Sequence, residues 1–277
     1  MNGFEASWSS RDGVELFLRG WQPEADVKAV VALLHGLGEH VGRYAHMAQP
    51  FTDGGYALVG FDLRGHGKSG GARGVIPSEE AVYDDISQFL QQTGQRYPGK
   101  PVFLYGHSLG ANLSITYALK RKPALKGVIA TGTSIRLAFE PPAWKVGLAK
   151  ALGKVAPAFS LANGLERAAL SRDPQVERLY SSDPLVHDRI STLLFLTIIR
   201  EGDYCLEHAS EFPLPLLLMH GGADRLTSAA ASREFASKID GRCTLKIWDG
   251  FYHEIHNEPE KDQVFQFTLH WLDTHLD

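Results

Sequence analysis

What most constrains this chain is a set of short, unbroken apolar runs separated by helical patterns. Lys28-Ala-Val-Val-Ala-Leu-Leu-His35 is the clearest of them. A run apolar at every position suits a strand covered on both faces, as in a parallel sheet. Tyr56–Phe61, Val102–Tyr105, Gly127–Ala130, Leu214–Met219 and Thr244–Trp248 read the same way. Upstream, Val14–Trp21 alternates, and it is expected to pair with the segment near Phe4–Trp8. Ser78 is placed to cap a helix that buries Val82, Ile86, Phe89 and Leu90. A second helix is expected over Leu109–Leu119, and a last one burying Val264, Phe267, Trp271 and Leu272. Strands alternating with helices specify an α/β fold on a mostly parallel, doubly wound sheet. Such sheets gather ligands at the carboxyl ends of their strands.

One stretch breaks the rhythm. From about Ser134 to Phe212 no clear strand is expected. Trp144, Leu148, Leu152 and Val155 follow helical spacing, interspersed with Lys145, Lys150 and Lys154, and Pro141-Pro142 and Pro157 punctuate the segment. Residues 134–212 therefore read as a mostly helical cap over the active face of a core made of 1–133 and 213–277. An apolar helix there suits a lid or contact with lipid; a plainly packed helical subdomain is the simpler reading, and the two are compatible. Composition narrows the partners. With 277 residues and 44% hydrophobic content, the chain can bury a large core. A net charge of −4 supplies no field to gather nucleic acid or anionic lipid. No apolar run approaches the roughly 18–20 residues needed to cross a bilayer. The start, MNGFEASWSS, has no basic region leading into an apolar stretch, so no signal peptide is expected. Cys205 and Cys243 lack metal-site spacing and read as free thiols. A reducing, cytoplasmic setting follows from that reading, with transient contact at membranes through the cap.

The sequence YGHSLGANL at 105–113 follows a buried run and opens a helix. That context turns Gly106-x-Ser108-x-Gly110 into a sharp strand-to-helix elbow, its glycines allowing strand and helix to approach and its serine presented at the sheet edge. A serine hydroxyl needs a base to take its proton and an acid to orient that base. Asp224, in PLLLMHGGADRLTS, follows the next strand but one, and His253, in TLKIWDGFYHEIHNEP, follows the last. Asp203 and His256 are the rival acid and base. Two backbone N–H groups must hold the oxyanion: Leu109, directly after the serine, and Leu37, in the glycine-rich turn LLHGLGEH. The loop DLRGHGKSGG at 62–71 lacks the glycine spacing of a phosphate cradle, and its His66 reads as structural.

HGLGEHVGRY, FDLRGHGKSGGARG, YGHSLGANLS, LYSSDPLVHDR, PLPLLLMHGGADRLT and TLKIWDGFYHEIHNEPE together resemble the monoacylglycerol lipase and lysophospholipase group of the α/β-hydrolase superfamily, from near residue 30 to near 260. The resemblance implies an α/β-hydrolase fold with a helical cap, and Ser108, Asp224 and His253 as catalytic triad, so it favours His253 over His256. It implies the backbones of Leu37 and Leu109 as oxyanion donors. It also implies that Glu39, Arg43 and His256 line a polar pocket for a glycerol head, with Tyr180 closing over the same region or packing. Glu39 and Arg43, four apart, are placed to brace each other if the stretch is helical; a solvated ion pair is the alternative. The chain departs from the group in two places. Leu109-Gly110-Ala111 follows the serine where Met-Gly-Gly is common, and the cap sequence LLFLTIIREGDYCLEH matches only loosely.

What is expected, then, is a serine esterase that splits a monoacylglycerol into fatty acid and glycerol through an acyl-serine, with no metal or organic cofactor. The alternatives in its own class are a broad carboxylesterase, a lysophospholipase, a perhydrolase or an aminopeptidase. From another class, the alternative is a catalytically silent ligand-binding relative.

Overall fold

The structure, a computed structural model, describes residues 1–140 and 143–276, apart from the side chains of residues 143, 145 and 154. Pro141-Pro142 and the side chains of Lys145 and Lys154 thus lie outside the described residues. In chain order the elements are β1 (Asn2–Ser9), β2 (Glu15–Gln22), β3 (Ala29–Leu34), α1 (Ala45–Asp53), β4 (Tyr56–Phe61), α2 (Glu79–Arg96), β5 (Val102–His107), α3 (Leu109–Arg121) and β6 (Gly127–Thr131). There follow α4 (Ala143–Val155), β7 (Ser160–Ala162), α5 (Pro174–Ser182), β8 (Arg189–Ser191) and α6 (Thr192–Glu207). The chain closes with β9 (Leu216–Gly221), α7 (Ala229–Ser237), β10 (Cys243–Trp248) and α8 (Lys261–Asp273).

Among the described residues, eight strands form one sheet in the order β1-β2-β4-β3-β5-β6-β9-β10. β1 runs antiparallel to β2 and β2 antiparallel to β4; every other neighbouring pair is parallel. The register is even across the centre: Leu33, Tyr105, Ile129, Leu217 and Thr244 lie in one row on β3, β5, β6, β9 and β10. The carboxyl ends of these strands therefore emerge along one rim.

The unbroken apolar runs have a simple cause in this geometry. Side chains alternate across a strand, so Val30, Ala32 and Leu34 of β3 enter one core, with Val82, Ile86 and Phe89 of α2 and Ile115 of α3. Ala29, Val31 and Leu33 enter the opposite core, with Met47 and Phe51 of α1 and Val264, Phe265 and Trp271 of α8. Both faces are covered, so no polar position is left in the strand. Ser78 caps α2 as its position implies, its hydroxyl accepting from Ala81 N–H.

Three expectations change. Thr244–Trp248 forms the edge strand β10, where residues 244–247 are only half-buried because no further strand covers them. The segment between β6 and β9 contains strand after all: β7 and β8, three residues each, pair antiparallel. They are too short for alternation to register in the sequence. The apolar stripe of α4 does not pack inward. Trp144, Leu148 and Val155 are exposed and Leu152 half-buried, while the packed helix of this segment is α6. No helix among the described residues is long and apolar enough to cross a membrane.

Helix α3 comes unusually close to the sheet. A Cβ on Gly106 would stand 2.2 Å from the Gly110 carbonyl oxygen, and one on Gly110 would stand 2.1 Å from the Leu34 carbonyl oxygen. Both obstacles are backbone, which cannot swing aside. Gly110→Ala is therefore expected to destabilise the fold by about 2 kcal/mol or more, lowering the thermal midpoint by roughly 5 °C. A circular-dichroism melt checks this, and an unchanged midpoint refutes the contact.

Candidate active site

Ser108 joins β5 to α3. Its φ of 53° lies in the left-handed region, with ψ at −114°, a conformation that costs a non-glycine residue of order 1–3 kcal/mol. Three hydrogen bonds hold it: Ser108 N–H donates to Thr131 C=O (2.9 Å), and its own C=O accepts from Asn112 N–H (3.1 Å) and from the Ser134 hydroxyl (3.3 Å). The side chain stays partly open at the rim. Leu109 begins α3, where the first amides have no intrahelical acceptor.

Asp224 and His253 come from the loops after β9 and β10. His253 Nδ1 lies 2.7 Å from Asp224 Oδ2. Asp224 is held by every donor around it. Leu226 N–H and Thr227 N–H reach Oδ1 at 2.7 and 3.0 Å, while Thr227 Oγ1 and His220 Nε2 reach Oδ2 at 2.8 and 3.1 Å. Burial alone would raise its pKa; the His253 ring and the hydrogen bonds of His220 and His253 hold it well below the carboxylate range. Burial likewise pushes His253 down, but the Asp224 carboxylate overrides it and raises the imidazole's proton affinity. The same bond fixes the tautomer, with the proton on Nδ1 and Nε2 left as acceptor. The His253 ring lies 4.8 Å from that of His107, the serine's neighbour, and both rings face Gly132 at the end of β6. Among the described residues no hydrogen bond joins the Ser108 hydroxyl to this ring; in unliganded sites such bonds are often long and tighten on substrate binding. Of the rivals, Asp203 is exposed on α6, and among the described residues His256 makes no hydrogen bond to Asp224.

The turn after β3 builds a second cluster. Residues 41–44 form a short 3-10 helix that brings Arg43 against Glu39. The solvated ion pair is thereby ruled out: the Glu39 side chain is 3% exposed and that of Arg43 10%. Glu39 also accepts from Gly36 N–H (2.6 Å) and from the Tyr44 hydroxyl (2.7 Å). Arg43 turns its other face to Glu254 in a bidentate pair, both bonds 2.8 Å, and lies 4.7 Å from the centre of the Tyr180 ring. Burial raises the proton affinity of Glu39 against the pull of Arg43. Glu254 is also buried, yet Arg43 holds it well below the usual range. His256 stacks on Tyr44 at 4.9 Å and meets His107 edge-on at 4.7 Å. Among the described residues neither of its ring nitrogens has a hydrogen-bond partner, and burial pushes its pKa down to about 3. A neutral ring with one free donor and one free acceptor suits a hydroxyl group.

The segment between β6 and β9 leans on both clusters. His187 N–H donates to Gly38 C=O (2.9 Å), and His40 pairs with Asp183 (2.9 Å). The amides of His253 and Glu254 donate to the carbonyls of Ala169 and Leu170. Between α3 and α6, an almost wholly apolar cavity of about 20 Å³ reaches Leu109, lined also by Leu113, Leu194 and Ile198. That is room for one water. His66 is buried, with Nδ1 on the Arg64 carbonyl. Cys205 and Cys243 are free, and no metal-binding cluster occurs among the described residues.

Sequence reasoning missed His220, Thr227 and Glu254. His220 lies in the buried strand β9, four residues before Asp224, and carries no local signal. Glu254 had one, since a charge beside the expected base is rarely idle, but its partner Arg43 lies 211 residues away.

The family described as "Serine aminopeptidase, S33" matches this chain over residues 25–260. The chain is 32% identical to the monoacylglycerol lipase of Mycolicibacterium smegmatis, over 98% of each chain. It is 36% identical, over 94% of its own length, to an uncharacterised abhydrolase domain-containing protein of Dictyostelium discoideum, spanning 28% of that longer protein. The crystal structure of Paleococcus ferrophilus monoacylglycerol lipase superposes with a TM-score of 0.85 at 34% identity, covering 99% of this chain and 100% of that one. With a sheet of this order, a serine elbow at its rim and a family match over residues 25–260, the chain belongs to the serine aminopeptidase S33 family of α/β-hydrolases and is a serine hydrolase of carboxylic esters.

Proposed function

We propose that the protein hydrolyses monoacylglycerols to fatty acid and glycerol, with Ser108 as nucleophile, His253 as general base and acid, and Asp224 as its orienting carboxylate. The observation that carries the reading is the 2.7 Å Asp224–His253 hydrogen bond on the rim from which Ser108 projects. With Nδ1 protonated towards Asp224, Nε2 takes the Ser108 proton as the hydroxyl oxygen attacks the ester carbonyl. The tetrahedral oxyanion is received by the N–H groups of Leu37 and Leu109. Collapse breaks the ester bond, and His253 returns the proton to the departing glycerol oxygen. Water, deprotonated by His253, then attacks the acyl carbonyl; the acyl–Ser108 bond breaks, His253 returns the proton to the Ser108 oxygen, and the fatty acid leaves.

The glycerol head is assigned to the cluster of Glu39, Arg43 and His256. The two unpartnered nitrogens of His256 and the unused Nε–H of Arg43 support this, and Tyr180 closes the pocket over the guanidinium. The acyl chain is assigned to the apolar side of the site, under residues 134–212 acting as a cap. Exposed Phe139, Trp144, Leu148, Val155 and Leu179 on that segment fit transient contact with a membrane or micelle. The free thiols accord with a reducing, cytoplasmic setting.

Ser108→Ala is expected to lower monoacylglycerol turnover by roughly 10⁴-fold or more and to abolish labelling by a fluorophosphonate, at an unchanged thermal midpoint. Near wild-type turnover would refute the assignment. Rates across monoacylglycerols of increasing chain length, set against triacylglycerols and lysophospholipids, test the substrate class; a clear preference for lysophospholipids would replace it.

The base must be neutral to act. Because the His253 pKa is raised, activity is lost as pH falls through a value above the ordinary histidine range. The acid limb of kcat/KM should therefore lie above about 6.5. A limb at or below that value contradicts the Asp224 assignment.

A further inference from the structure

Glu254 is a buried charge next to the base, and neither the triad, the oxyanion donors nor the head-group cluster uses it. Its carboxylate spends both oxygens on Arg43 and accepts a further bond from Asn257 Nδ2 (2.7 Å). Arg43 carries the connection to Glu39, whose Oε1 takes the N–H of Gly36, the residue before Leu37. A Cβ on Gly36 would stand 3.3 Å from that of Ser108, so the turn lies close beside the serine. One continuous chain of charge-assisted bonds thus runs from the loop carrying His253 to the turn carrying the expected oxyanion donor. Bonds of this kind are shorter and stronger than neutral ones.

We propose that Glu254 is a positioning residue: through Arg43 and Glu39 it locks the base loop against the oxyanion turn, and its negative charge offsets Arg43 beside His253. The proposal rests on the reading of His253 as base. The titratable groups around His253 are Asp224 on Nδ1, with His220 on the same carboxylate, His107 against the ring with His256 beyond it, and Glu254 and Glu39, with Arg43 bonded to both. His107 and His256 are held neutral by burial. Apart from Asp224, the local field on His253 is therefore set by one guanidinium and two carboxylates. Removing the Glu254 charge leaves Arg43 with a single counter-ion and lowers the proton affinity of His253. A shift of the base against the oxyanion turn by about 1 Å is enough to lower turnover strongly.

The test compares wild type with Glu254→Gln, which keeps the shape and removes the charge. The readout is the pH profile of kcat/KM on two substrates: a monoacylglycerol, and a p-nitrophenyl ester that has no glycerol head. The acid limb is expected to move to lower pH by roughly half a unit or more on both. A limb that stays in place overturns the proposal, as does a change confined to the monoacylglycerol, which would make Glu254 a head-group residue. Glu254→Asp keeps the charge on a shorter arm. It is expected to hold the limb at its wild-type position while kcat on the p-nitrophenyl ester falls about fivefold or more at similar KM; full kcat there would remove the locking role. Should the glutamine variant fail to fold, the aspartate variant decides alone. Fluorophosphonate labelling of the wild-type enzyme separates the two readings. Failure to label Ser108 removes the base assignment, whereas normal labelling with an unmoved limb removes only Glu254.

Discussion

The close approach of α3 to β3 and β5 is the constraint on which the site depends. With hydrogen in place of a side chain at Gly106 and Gly110, helix backbone rests directly on strand backbone. That contact forces the reversal at Ser108 into its left-handed conformation. The serine therefore stands up from the sheet edge, and the start of α3 lies immediately behind it. A larger residue at either glycine would push the helix away and relax the turn. The strained elbow persists because the packed strands on both sides leave the chain no other course.

Electrostatics does the rest in a nearly dry setting. Asp224, Glu39 and Glu254 are all buried, and each is met by donors or a cation. An unpaired charge at this depth would cost several kcal/mol. The nearby histidines divide into two kinds. His253 has a carboxylate partner and gains proton affinity, while His107 and His256, without one, lose it. His107 lies 4.8 Å from the His253 ring and 4.7 Å from that of His256, and of the three imidazoles only His253 has its proton affinity raised.

Much of the architecture was legible in the chain because the physical signal is local. An apolar run at every position demands cover on both faces, and β3, β4, β5, β6 and β9 have it. The elbow was legible because its glycines and serine sit within five residues. Legibility failed where the outcome depends on what lies opposite. β10 has the composition of a central strand but becomes the edge, since sheet order is set by how crossover connections pack and not by the strand itself. The apolar spacing of α4 resembles that of a packed helix, yet α6 occupies the place against α3 and leaves α4 facing outward.

The sequence by itself determined the doubly wound class, the order Ser108, Asp224, His253, and the glycine-bearing turns after β3 and β5. All of these follow from residues that interact with near neighbours or with a generic sheet. Only the tertiary structure decided which charges meet. Arg43 joins Glu254 across most of the chain, His220 and Thr227 complete the shell around Asp224, and His256 is left with both nitrogens free. A side chain's partner at such separations is fixed by the packing of whole strands and helices, and no local pattern in the sequence encodes it.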